Sequence, residues 1–207
     1  FIIEHIIPLM IAPLKSDNLN EPVMGSVCRL VIRKNIVLNN NISFDKDVRI
    51  AEDLLFCIDV LSKMNFLSVI KKPYYNYIRE ENSSIEKYYN NNFEKSITFS
   101  KLLDSRMKNI YRNNYNIIDK RFQVYRFYLC TWEISAIARS NLYYREKMHR
   151  ISKVMTFFKE NSFTMRIYKE LNNSRKIAFL FFKIKSKMLL YICFKIKEHL
   201  RIKRYNS

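Results

Sequence analysis

Glu52 and Asp53 are adjacent carboxylates placed just ahead of an apolar series, Leu54, Leu55, Ile58, Val60 and Leu61. That spacing predicts a helix starting near Ala51 with both acids in its first turn. Acids occupy such turns for capping alone, because the positive end of the helix dipole favours negative charge there. A carboxylate in that place can also take a proton from an attacking hydroxyl. Shortly upstream, Asp45-Lys46-Asp47 has the Asp-x-Asp spacing of oxygen ligands for a divalent cation,. Downstream, Ser83 and Glu86 form a capping-box pattern, and Arg79 stands beside Glu80 and Glu81 as a solvated loop charge would,. The four cysteines, Cys28, Cys57, Cys130 and Cys193, lie far apart without a CxxC pair, so zinc-ligand spacing is absent,. Cys57 and Cys193 sit in apolar stretches and read as small core residues, which fits reduced thiols in a cytosolic setting. His5, His149 and His199 are scattered and form no ligand cluster.

The elements that must carry these residues fall into two compositional regions. Up to about residue 84, short strand-like runs alternate with helices. Helices are predicted over about 25–39 and from near 51 to 64, with extended runs at 42–44, 66–70 and 74–78. From 85 onward the pattern is helix after helix, near 85–112, 119–140, 144–160, 163–171 and 174–202. No internal repeat and no Gly/Ser/Pro linker marks a domain break.

The 207 residues are 48% hydrophobic, enough to bury a core and to exclude wholesale disorder,. One glycine and four prolines favour long helices over a complete α/β enzyme, whose βα turns consume glycine,. The chain opens on Phe1 with an apolar stretch that lacks a charged n-region and a small-residue cleavage site, so it does not read as a signal peptide. It reads as a chain that begins inside a larger protein. The net charge of +18 points to an anionic partner, nucleic acid or membrane surface,. The abundance of Lys, Asn, Ile and Tyr also fits an AT-rich gene, which would account for part of that charge without any ligand.

Four segments, in order, carry a resemblance. They are Gly25-Ser26-Val27-Cys28-Arg29-Leu30-Val31-Ile32-Arg33-Lys34, then Asn41-Ile42-Ser43-Phe44, then Ile50-Ala51-Glu52-Asp53-Leu54-Leu55-Phe56, and last Lys72-Pro73-Tyr74-Tyr75-Asn76-Tyr77-Ile78-Arg79 followed by Ser83. Their order and gaps resemble the C-terminal portion of family 2 glycosyltransferases of the GT-A type, which build bacterial surface polysaccharide such as capsule. The match covers about 60 residues. Cys28 stands where that family usually has an aromatic, and Ala51 where it often has Gly.

The resemblance implies an α/β fold: a partial GT-A domain, the C-terminal part of a Rossmann-like nucleotide-sugar transferase domain, over 1–84, then a mainly α-helical extension over 85–207. It implies an inverting, hexosyltransferase-like reaction that moves a sugar from a nucleotide-sugar donor to a glycan or lipid-linked acceptor. In that reaction Asp53 would be the base that deprotonates the acceptor hydroxyl and Glu52 its neighbour in the acceptor site. Arg79 and Ser83 would meet the donor diphosphate, where a guanidinium forks onto phosphate oxygens. The family holds the diphosphate through Mg²⁺ or Mn²⁺ on an Asp-x-Asp motif ahead of the Glu-Asp pair. Asp45-Lys46-Asp47 is not at that place, and Gly25 alone cannot make a Gly-rich phosphate loop. The chain by itself is therefore expected to bind a nucleotide sugar poorly, with the metal ligands outside it.

The segment 175–204 reads as one long, basic, amphipathic helix with a single acid, Glu198. At the helical repeat Lys176, Lys183, Lys187 and Lys197 share a face, while Lys185 and Lys195 fall off it. No apolar run reaches the roughly 20 residues needed to span a bilayer. Two readings stay open: a helix lying on an anionic membrane surface, or a packed helix with a solvated basic face. The first fits a cytoplasmic protein peripheral to the inner face of the plasma membrane. A non-catalytic helical module binding membrane or a protein partner is the alternative to the transferase. Nucleic acid is not the expected partner, because aromatic and basic residues interleave without a recognisable binding motif.

Overall fold

Few positions in this sequence can interrupt a helix,. In the computed structural model every regular element among the described residues is helical. The structure describes residues 1–17, 25–48, 51–70, 72, 75–76, 91–112, 114–161 and 163–205, the last five as backbone only. The α/β expectation is overturned: the described chain is all-α, with no strand and no Rossmann-like sheet. The runs at 42–44 and 66–70 lie outside any helix or strand. Phe66, Val69 and Ile70 are exposed by 62%, 79% and 65%. A strand leaves a row of unpaired N–H and C=O groups unless a second lies beside it, and none does among the described residues. Residues 75 and 76 belong to no element, and the rest of 74–78 lies outside the described residues.

The chain divides into two units. The first comprises Phe1–Pro13, Asp17–Lys87 and Glu94–Phe122. A π-helical turn, Ile2–Ile6, runs into α1 (Ile7–Ile11), whose Pro8 sits in the first turn where a missing N–H costs nothing,. The expected helix over 25–39 is reduced to a 3-10 turn, Val27–Arg29, and α2 (Lys34–Asn39), because Ser26, Leu30 and Arg33 are extended. Then come α3 (Glu52–Leu61), most of α4 (Asn92–Tyr111) and the opening of α5 (Asn116–Arg139). α3 buries Leu55, Phe56, Ile58, Val60 and Leu61. Arg121 closes the unit: its guanidinium forks onto Asp17 at 2.8 and 2.6 Å and donates to the Ala12 carbonyl at 2.7 Å. Both side chains of that ion pair are 13% exposed. Tyr111 donates its hydroxyl to the Ile3 carbonyl. Burial raises that hydroxyl's pKa, against a smaller lowering by Arg121, so it stays a donor,.

The second unit comprises Leu14–Ser16, Tyr88–Phe93 and Gln123–Ser207. It contains the rest of α5, α6 (Tyr144–Glu160), a 3-10 turn Met165–Glu170, α7 (Asn173–Lys183) and α8 (Lys187–Tyr205). Its core is aromatic. The Phe127 ring lies edge-on to those of Phe163, Phe179 and Phe182 at 6.0, 5.5 and 5.9 Å, an arrangement the ring quadrupoles favour,. Phe158 stacks on Phe163 and Phe182 at 4.8 and 4.7 Å. Lys183 donates to the Phe163 carbonyl at 2.8 Å, with its ammonium 5.4 Å from the Phe179 ring centre.

The single tail helix expected over 174–202 is broken. α7 ends in a Schellman motif, with the Ser186 N–H bonded to the Phe181 carbonyl and the Lys185 N–H to that of Phe182, both at 3.1 Å,. Lys185 takes the left-handed conformation at φ 58°. Ser186 then caps α8, its Oγ accepting from the Leu189 N–H at 3.3 Å,. The break separates Lys176 and Lys183 from Lys187 and Lys197, so the four share no continuous face.

Candidate functional site

The Glu-Asp pair lies where its sequence pattern places it, in the first turn of α3. Both side chains are partly exposed, while Leu55, Phe56, Cys57 and Ile58 behind them are buried and fix the helix. The turn begins at Ala51, whose φ of 56° and ψ of 29° are left-handed, and no side chain caps it. The Leu54 N–H bonds to the Ala51 carbonyl at 3.0 Å. Left-handed backbone favours glycine, because a Cβ there crowds the carbonyl oxygen.

Two distant segments of the first unit pack against this helix. The only glycine of the chain is one of them. A Cβ at Gly25 would stand 2.4 Å from Leu54 Cδ1, 3.2 Å from Leu54 Cα and 3.2 Å from Met10 Cε. The backbone at Gly25 thus lies directly on the first turn of α3, beside the two acids, and a side chain would push it away. The other is Phe44, whose ring stacks on Phe56 at 4.4 Å with 6° between the planes. Cys57 follows Asp53 by one helical turn. Its thiol is pushed up to about 11, mainly by burial, then by the charge of Asp53 and by Cys28. A thiol held protonated in this way is no nucleophile. Cys28 itself is exposed.

Arg106, on α4, is the residue of this neighbourhood that sequence reading missed. Its Nη2 donates to Asp45 Oδ2 at 3.3 Å, and its Nη1 donates to Asp59 on α3. Asp45 Oδ1 also accepts the Asp47 N–H at 3.1 Å, a local turn contact,. Asp45 is thereby committed to holding the loop ahead of α3 in place. Among the described residues no three His, Cys, Asp or Glu side chains come together to hold a metal ion, Mg²⁺ and Mn²⁺ included. Arg79 and Ser83, the expected diphosphate contacts, and the Ser83–Glu86 capping box lie outside the described residues.

The arrangement offers a pair of carboxylates on a rigid helix start, open to solvent on one side and backed by apolar packing. Such a pair can accept a proton from a hydroxyl presented from the open side. Comparison of the chain with protein-family models, with curated proteins and with solved structures finds no match.

Proposed function

We propose that this chain is the acceptor-side, C-terminal part of an inverting glycosyltransferase that moves a sugar from a nucleotide donor to a glycan or lipid-linked acceptor. What carries the reading is the convergence on the Glu52–Asp53 turn of three segments that a family 2 resemblance groups together. Gly25 lies against Leu54, Phe44 stacks on Phe56, and both acids stand in the first turn of α3. The position where the family often has Gly is Ala51, the one left-handed residue at the helix start. In the proposed reaction Asp53 accepts the proton of the acceptor hydroxyl as it attacks the anomeric carbon, and Glu52 orients that hydroxyl. Arg79 and Ser83 would hold the departing diphosphate. A divalent cation, which the resemblance implies, would be held by residues other than the described ones.

The test is sugar transfer by the complete gene product. A panel of nucleotide sugars is supplied with lipid-linked and free glycan acceptors, and released nucleoside diphosphate is measured. Asp53→Asn is expected to lose about 10²- to 10⁴-fold in kcat, the range a positioned base supplies, while retaining donor binding. Undiminished transfer by Asp53→Asn would remove Asp53 as the base.

A further inference from the structure

α7 and α8 are each apolar on two opposite faces. On α8, Leu190 and Phe194 are buried. At about 100° per residue, Met188, Ile192 and Ile196 fall roughly opposite them, with Leu189 and Leu200 alongside. These five are exposed by 40% to 56%. On α7, Ala178, Phe179 and Phe182 are buried, whereas Ile177, Leu180 and Ile184 form an exposed ridge on the far side. A surface helix whose only task is to cover a core is polar on its outer face. These two helices present aliphatic ridges there instead.

The surroundings of the ridges are cationic. Between residues 173 and 205 the one acid is Glu198. It is buried and turned inward, accepting from Arg139 at 3.0 Å and from the Ser135 hydroxyl. Lys185, in the turn between α7 and α8, and Lys195, at the edge of the α8 ridge, are exposed, whereas Lys187 and Lys197 fall on the side of Leu190 and Phe194, the Lys197 ammonium 5.5 Å from the Phe194 ring centre. We propose that the outward ridges of α7 and α8 seat this chain on an anionic lipid surface, with the aliphatic side chains in the headgroup–acyl boundary and the lysines on the lipid phosphates.

Three alternatives fit less well. From Met188 to Leu200 is about 18 Å of helix, too short to cross a bilayer core of about 30 Å. Among the described residues no helix is long and apolar enough to cross a membrane. A helix lying flat has no such requirement. A second copy of the chain would oppose two positive surfaces without intervening acids. Nucleic acid would satisfy the lysines but gives aliphatic Ile, Leu and Met side chains nothing to stack on. The inference rests on α7 and α8 alone and is independent of the transferase reading.

The chain is mixed with vesicles of neutral phosphatidylcholine, or of phosphatidylcholine containing about a third phosphatidylglycerol, and floated on a density gradient. Flotation is expected with the anionic vesicles only. It should weaken as salt is raised from about 0.1 to about 1 M, which shortens the screening length from about 10 to about 3 Å. Ile192→Asn with Ile196→Asn should lower partitioning about tenfold or more at low salt. Both positions are exposed, so an unchanged circular-dichroism melt is expected and separates lost docking from lost folding. Lys185→Gln with Lys195→Gln should lower binding in a salt-sensitive way. Equal binding to neutral vesicles, or the double Asn variant floating like the parent, overturns the proposal. So does a ridge-dependent dimer in analytical ultracentrifugation without flotation. Displacement from vesicles by an oligonucleotide that binds both parent and double Asn variant would transfer the site to nucleic acid.

Discussion

Replacing Ala51 by glycine should stabilise the protein, although it removes an atom. Ala51 has φ 56° and ψ 29°, and a non-glycine residue there costs about 1–2 kcal/mol,. Glycine relieves that cost but returns about 0.4–1 kcal/mol through the greater freedom of the unfolded chain. Ala51 is exposed and its side chain caps nothing, so no packing or hydrogen bond is lost. Glycine is also the better N-cap of the two. At the centres of the two ranges the balance is a gain of about 0.8 kcal/mol. For a chain of this length that is a rise of about 1–4 °C in Tm. The assay is a thermal melt followed at 222 nm, with a urea melt to check that the midpoint rises at constant slope. Ala51→Val serves as the opposite perturbation, since a β-branched side chain in left-handed backbone is more strained than alanine and should lower the midpoint. An unchanged or lower midpoint for Ala51→Gly would refute the assignment of Ala51 to the left-handed region. It would also remove one support from the glycosyltransferase resemblance, in which that position is often glycine.

Gly25→Ala should destabilise by about 1–3 kcal/mol in the same melts, the usual range for overpacking, because the new Cβ meets the Leu54 backbone at 3.2 Å as well as its flexible side chain. Arg121→Ala should destabilise by more than about 1 kcal/mol, since it removes a two-pronged guanidinium contact from a largely buried Asp17 carboxylate and a donor from the Ala12 carbonyl,; a smaller loss would mean the pair is solvent-screened. Native-state alkylation read by mass spectrometry should modify exposed Cys28 first and spare Cys57 and Cys130, both buried. With the Cys57 thiol pushed up to about 11 by burial and Asp53, its labelling should climb about tenfold per pH unit from pH 8 towards that value, whereas rapid labelling at pH 8 would contradict the packing behind α3,.

The helices legible from sequence were those whose ends carry an ordinary signal. α6 occupies 144–160 as its periodicity predicts, and α3 starts with its acids where a first turn favours them,. The misreadings share a cause: the deciding residue was not of the type that announces its role. The tail breaks at Lys185, a left-handed position filled by lysine where glycine would have signalled an end, and the capping Ser186 sits unmarked among lysines. Ala51 hides a left-handed start in the same way. The short apolar runs at 42–44 and 66–70 carry β-branched residues, yet a strand is a property of a pair, and periodicity within one run says nothing about a partner. The candidate site divides along the same line. Glu52 and Asp53 could be picked out because their chemistry and placement are local. Arg106 could not, since it reaches Asp59 and Asp45 from 47 and 61 residues away, and one arginine in a basic chain gives no hint of its carboxylates. Gly25 lies between: a lone glycine in 207 residues draws notice by rarity, but only its approach to Leu54 shows why a side chain there is crowded. Those contacts make the resemblance a physical claim. If the three segments came together by chance, the Gly25–Leu54 contact could be loosened with loss of stability alone. If they form an acceptor site, Gly25→Ala must also displace the turn that carries Asp53, and transfer by the complete gene product should then fall further than the lost folded fraction accounts for.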